Sequence, residues 1–97
     1  MKITRINFNF NNEEKALSEI YKNKNFYYNK CIEAIDWGIK NDILNIKIFE
    51  LKMSNGEIYD AHCHRNQWDE ILNTALKFFI ENEKYEKCSH IKKLMNC

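Results

Sequence analysis

Asn55-Gly56 stands between two runs of strand-forming residues, and no other dipeptide restricts the folding of this chain so sharply. Both residue types tolerate the positive φ that a two-residue type I′ turn demands at its central positions. The chain has no proline and only two glycines, so tight reversals have few other places to form. A type I′ turn here predicts a hairpin whose first arm covers residues 43–53. Its register would set Met53 opposite Ile58, Leu51 opposite Asp60 and Phe49 opposite His62. Within the first arm the apolar parity changes, from Leu44, Ile46 and Ile48 to Phe49, Leu51 and Met53. That break predicts either a β-bulge near Ile48-Phe49 or a strand covered on both faces.

The segments around the hairpin carry their own periods. Over residues 2–10, Ile6, Phe8 and Phe10 alternate with Arg5, Asn7 and Asn9, the pattern of a half-buried strand. Asn11 and Asn12 are N-cap candidates for a short helix, with Glu14 at capping-box spacing from Asn11. That helix places Ala16, Leu17, Ile20 and Tyr21 on one face. The polar run Lys22-Asn23-Lys24-Asn25 breaks it. A second helical stripe follows in Tyr28, Cys31, Ile32, Ile35 and Ile39, and Gly38 is a candidate C′ residue ending it. After the hairpin, Asn66 is a candidate N-cap for a helix with a wide apolar face running from Trp68 to Phe79. A last helix carries Tyr85, Cys88, Ile91, Leu94 and Met95. The expected fold is α+β over 1–97 as a single domain. A small antiparallel sheet, built from the N-terminal strand and the hairpin, packs with two αα-hairpins in the order β-α-α-β-β-α-α.

Length then limits function. A chain of 97 residues buries only about 60–65% of its unfolded surface. Little room remains for a deep pocket, and homodimerisation is one way to cover what is left. The formal net charge is +1, and Arg5 and Arg65 are the only arginines. Attraction to phosphate must therefore come from a local patch. The N-terminus lacks an apolar leader and no run approaches a membrane span, so a cytoplasmic protein is expected, in a bacterial or host cell. In that compartment Cys31, Cys63, Cys88 and Cys97 read as reduced thiols rather than a disulfide frame. Heavy use of Asn, Ile and Lys, whose codons are AT-rich, points toward an AT-rich genome such as many bacteria, phages and mobile elements have, and a phage or mobile-element accessory protein fits it.

Asp60-Ala61-His62-Cys63-His64 looks like the Asp-x-His-x-His that opens metal-dependent amidohydrolases. Those enzymes are TIM barrels of about 250 residues, which this chain cannot build, and the later ligands are missing. On a strand, Asp60, His62 and His64 share one face and Cys63 the other, so neither histidine is placed to activate the thiol. His62, His64, Cys88 and His90 are permitted zinc ligands, but they lack the spacing of structural zinc modules. No cofactor is expected, and no complete catalytic motif is present.

Phe26, Tyr27 and Tyr28 lie beside Lys22, Lys24 and Lys30, a combination that can contact protein or stack on single-stranded nucleic acid. If the second helix runs through Trp37, then Trp37 and Phe26 share a face opposite the core stripe and form a candidate contact patch. Near the C-terminus, Tyr85, Glu86, Cys88, Ser89, Ile91 and Lys92 match in kind the UVR-type helical hairpin of bacterial excision-repair proteins. The segment 81–93 resembles its turn and second helix, with Lys93 standing where that family has Asp. The resemblance implies a docking element.

The function expected from these residues is a small non-enzymatic, protein-binding inhibitor or regulator of a larger protein or ribonucleoprotein partner. An anti-defence (anti-CRISPR-like) factor of a phage is one concrete form. Phe26, Tyr27, Trp37, Lys22, Lys24 and Lys30 are the expected partner-binding residues. The alternatives are a nucleic-acid-binding regulator using the same lysines and aromatics, and a zinc-stabilised interaction module.

Overall fold

A computed structural model of the chain describes residues 2–96; Cys97 lies outside them. Strands β1 (Thr4–Asn7), β2 (Asn45–Lys52) and β3 (Ile58–His64) form a three-stranded sheet in that spatial order. Helices α1 (Glu13–Lys22) and α2 (Lys24–Asn41) lie between β1 and β2, and α3 (Trp68–Glu81) and α4 (Tyr85–Met95) follow the sheet. The α+β class and the order β-α-α-β-β-α-α are those expected. Among the described residues no helix is long and apolar enough to cross a membrane.

The sheet is mixed, which corrects the antiparallel sheet expected. β2 and β3 are antiparallel, but β1 pairs parallel to β2, with Thr4 beside Phe49 and Ile6 beside Leu51. Parallel neighbours need a crossover of a dozen or more residues, and α1 and α2 supply it. The alternation of residues 4–7 reports which face is buried and carries no information on direction.

The hairpin turn also differs by one residue. The Gly56 N–H donates to the Met53 carbonyl at 3.0 Å and the Met53 N–H to the Glu57 carbonyl at 2.8 Å. Gly56 is at φ +90° while Asn55 is not at positive φ. The reversal is therefore a tight turn over Ser54-Asn55 followed by a left-handed glycine, the three-residue hairpin with a G1 bulge, not a type I′ turn. Leu51 consequently faces Tyr59, and Phe49 faces Ala61. Asn11 explains the choice: its side-chain oxygen accepts from the Ser54 hydroxyl and the Asn55 N–H, both at 2.8 Å, holding Ser54 inside the turn.

The break in parity is a bulge, since the β2–β3 register shifts between Lys47 and Phe49. The extra residue, Ile48, lets Ile46, Ile48, Phe49, Leu51 and Met53 all be buried. These pack on Ala16 and Ile20 of α1, Cys31, Ile32 and Ile35 of α2, Leu72, Ala75 and Phe79 of α3, and Ile91 and Leu94 of α4 in one cluster. The helices cover one face of the sheet and leave the other to solvent.

Helix ends show the remaining differences. Asn12, rather than Asn11, caps α1 by accepting from the Lys15 N–H at 3.0 Å. Asn23 ends α1 and also caps α2, accepting from the Phe26 N–H at 3.3 Å. Gly38 does not end α2. The helix continues to Asn41, and Asp42 takes the left-handed conformation at φ 54°, with the Ile43 N–H reaching back to the Gly38 carbonyl at 2.9 Å. Gly38 serves packing instead, because a Cβ there would meet the Ile46 side chain, the Ile43 carbonyl and the Trp68 ring. Asn66 is not the cap of α3; it sits inside a 3₁₀ turn, Arg65–Gln67, that precedes the helix.

Candidate functional site

The open face of the sheet is polar because every residue pointing to it has the parity opposite to the core. Arg5, Glu50, Lys47 and Asp60 form a chain of ion pairs across all three strands. Glu50 accepts from Arg5 at 3.2 Å and from Lys47 at 2.7 Å, and Lys47 also reaches Asp60 at 3.2 Å. These contacts, chiefly the Lys47 hydrogen bond, hold the Glu50 carboxyl below its ordinary range. The Glu50 bond in turn raises Lys47. Arg5 and Lys47 thus each have a carboxylate close by, while exposed Lys52 on the same face has an apolar cross-strand neighbour in Ile58; most of the field a polyanion would need is cancelled.

Asp60, His62 and His64 share this face and Cys63 turns into the core, as their alternation predicts. The His62 and His64 rings stack at 6.1 Å between centroids, and His62 Nδ1 lies 3.2 Å from the Asn45 side-chain oxygen. Cys88 is buried under α4, and His90 points at Asp36 of α2 at 3.9 Å. The structure does not bring these four together. Among the described residues no group of three or more His, Cys, Asp or Glu side chains is arranged to hold a metal ion. Burial pushes the Cys31 thiol up to about 12 and the Cys63 thiol up to about 11, so both are inert, protonated core residues at neutral pH.

The aromatic residues converge. At the α1–α2 junction Tyr21 meets Tyr27 edge-on at 5.0 Å, Tyr27 meets Tyr28 at 5.3 Å, and Tyr28 meets Phe78 of α3 at 5.4 Å. All four rings touch solvent, and Tyr21 is half exposed. Desolvation raises the Tyr27 and Tyr28 hydroxyls above the usual tyrosine value, so both remain neutral donors at physiological pH. Phe26 packs on the core ring of Phe49 at 5.8 Å, and Trp37 is half-buried against the core. The helix does run through Trp37, yet α2 is covered on most sides, so Phe26 and Trp37 do not make an exposed pair. Tyr21 and Phe78 complete the seam and were absent from the sequence-based patch. Both lie at the margins of apolar helical faces, a position that leaves burial undecided.

The lysines around the seam are largely balanced. Lys22 lies 3.6 Å from Glu19, and Lys30 lies 3.7 Å from Glu33 and over the Phe26 ring at 5.9 Å. Lys24 lines a shallow surface groove with Glu14, Leu17, Ser18, Tyr21 and Lys22. At the other αα-hairpin, Ile80 and Tyr85 flank a turn in which Glu83 is at φ 56°. Comparison with protein-family models, curated proteins and solved structures finds no match for this chain.

Proposed function

We propose that the protein is a non-enzymatic inhibitor or regulator that binds a larger protein partner, and that the seam from Tyr21 to Phe78 is its contact surface. The observation that carries this reading is the seam itself: rings within 5.0–5.4 Å of one another, drawn from three helices, each reaching solvent. Rigid aromatic side chains with a polar tip lose little entropy on binding and anchor protein interfaces more often than any other type. Lys24, beside Tyr21 at its border, suits a partner with an acidic rim. The glutamates paired to Lys22 and Lys30 argue against phosphate as the main target, since they cancel the field a nucleic acid would need. Heavy use of Asn, Ile and Lys, residues with AT-rich codons, is in keeping with the narrower reading of a cytoplasmic phage or mobile-element factor directed against a host machine.

The test is photocrosslinking in the native host, with a benzophenone amino acid at position 21 and a control at Lys92 on the exposed side of α4. A discrete protein adduct at position 21 alone, lost on competition with wild-type chain but not with Tyr21→Ala, is the expected result. Equal adducts at both positions would overturn the seam. Affinity for single-stranded DNA that falls steeply between two salt concentrations would overturn protein as the target.

A further inference from the structure

We propose that the free edge of β3 is a self-association surface, which pairs antiparallel about Ala61 with the same edge of a second copy of this chain. This inference is independent of the aromatic seam. It starts from which backbone groups are already used. At one end of the hairpin the Met53 N–H bonds the Glu57 carbonyl, and at the other the Arg65 N–H bonds the Leu44 carbonyl at 2.7 Å. Hydrogen-bonded and non-bonded pairs alternate along an antiparallel ladder. Counting inward from both ends, with the bulge at Ile48, gives the same answer. Tyr59, Ala61 and Cys63 direct their backbone groups to β2. Ile58, Asp60, His62 and His64 direct theirs outward. Among the described residues β3 has one strand neighbour; on its outer edge the His64 N–H is taken by the Gln67 side-chain oxygen at 3.2 Å, and Ile58, Asp60 and His62 are left open.

Sheet edges in monomeric proteins are normally blunted by shortness, by lysine or proline, by a bulge or by an inward charge. The β1 edge follows this rule with four residues. β3 does not. It has seven residues, Ile58–His64, with no lysine or proline. The bulge sits in β2, and the inward side chains are Tyr59, Ala61 and Cys63.

Charge then selects the register. Pairing about Ala61 sets Asp60 opposite His62 of the second copy, twice by symmetry, and sets half-exposed Ile58 opposite His64. An imidazole N–H faces a carboxylate at each Asp60–His62 position, and the backbone groups of both residues pair across the axis. A shift one way sets Asp60 against Asp60, and a shift the other way sets His62 against His62. At the axis the inward-facing Ala61 meets its own copy, small enough for the strands to approach. The interface is isologous and closes as a dimer.

Sedimentation equilibrium of the full chain, from micromolar to millimolar, reads the dissociation constant. Asp60→Pro removes an N–H that β2 does not use, so the hairpin survives, as the far-ultraviolet spectrum will report. The dimer should weaken about tenfold or more. Asp60→Lys should also weaken it. Asp60→Lys with His62→Asp should restore it, since the swapped charges again face each other across the axis, and within the hairpin the new lysine lies opposite Glu50 and the new aspartate opposite Lys47. A wild-type chain that stays monomeric at millimolar concentration would overturn the proposal. So would a dimer that Asp60→Pro leaves intact, a charge swap that fails to restore association, or growth into open oligomers. If Asp60→Pro does not fold, the charge swap alone decides.

Discussion

Replacing Gly38 with alanine should destabilise the protein although it removes a glycine from a helix. The gain is the difference in helix propensity, about 1 kcal/mol in favour of alanine, and less this close to the C-terminal end of α2. Against it stands the space. The new Cβ would lie 3.0 Å from the Ile43 carbonyl and 3.1 Å from the Trp68 ring, and closer still to Ile46 Cδ1. The Ile43 carbonyl belongs to a backbone held by the α2 C-cap, and Trp68 is 4% exposed, so neither yields freely. Overpacking of this kind costs roughly 1–3 kcal/mol. The net loss is about 1 kcal/mol or somewhat more, which for a domain of this size lowers Tm by about 4–8 °C. Ile46→Val removes the nearest atom. Made alone it should cost about 0.5–1.5 kcal/mol, and in the alanine background clearly less, giving a coupling of at least about 0.5 kcal/mol. Urea unfolding of the four proteins measures the cycle. If Gly38→Ala is as stable as the wild type, or the two changes are additive, the close approach of α2 to β2 and Trp68 is not what glycine serves there.

Glu83→Gly should raise stability by about 1 kcal/mol, because Glu83 occupies the left-handed C′ position of a Schellman motif closed by the Lys84 N–H on the Phe79 carbonyl at 2.8 Å; calorimetry showing no rise in Tm would refute this. Cys31 and Cys63 should resist alkylation at pH 8 until denaturant is added, as peptide mapping of labelled sites will show. Their pKa values are raised in the folded state, so their contribution is full below the free-thiol pKa of about 8.5 and falls as pH rises toward the folded values. Urea midpoints should accordingly decline in that alkaline range, and less steeply in Cys31→Ala. Glu50 has a lowered pKa, so its contribution is present above the free-glutamate value of about 4.3 and disappears as pH falls below it. Glu50→Gln should show a shallower acid loss of Tm than wild type, and an identical acid profile would count against the Arg5–Glu50–Lys47 network.

Local order was legible in the residues. The alternation of residues 58–64 predicted which of Asp60, His62, Cys63 and His64 faces outward, and the parity break in β2 located the bulge. Wherever a tertiary contact chose between local options, the residues alone misled. Asn55-Gly56 suits two turns, and the side chain of Asn11, distant in sequence, selects the one containing Ser54. Gly38 suits a helix end or a close approach, and the Trp68 ring decides. The direction of β1 depends on how the intervening helices return the chain, which a strand of four residues does not encode. The candidate site shows the same limit: Tyr27 and the lysines could be named from their spacing, but the link from Tyr21 to Phe78 through Tyr27 and Tyr28 exists only once α1, α2 and α3 are assembled.

The parallel pairing of β1 with β2 bears on how the chain reaches this structure. Thr4 meets Phe49 across a long loop, whereas the β2–β3 hairpin and the α3–α4 pair close over short ones. Closing the long loop costs more entropy before any contact repays it, so sequence-distant pairing belongs to the late part of folding. During synthesis the residues of β1 leave the ribosome before those of β2, and find their strand neighbour only after the second strand has followed. Of the three strands, the one made first waits longest for its neighbour.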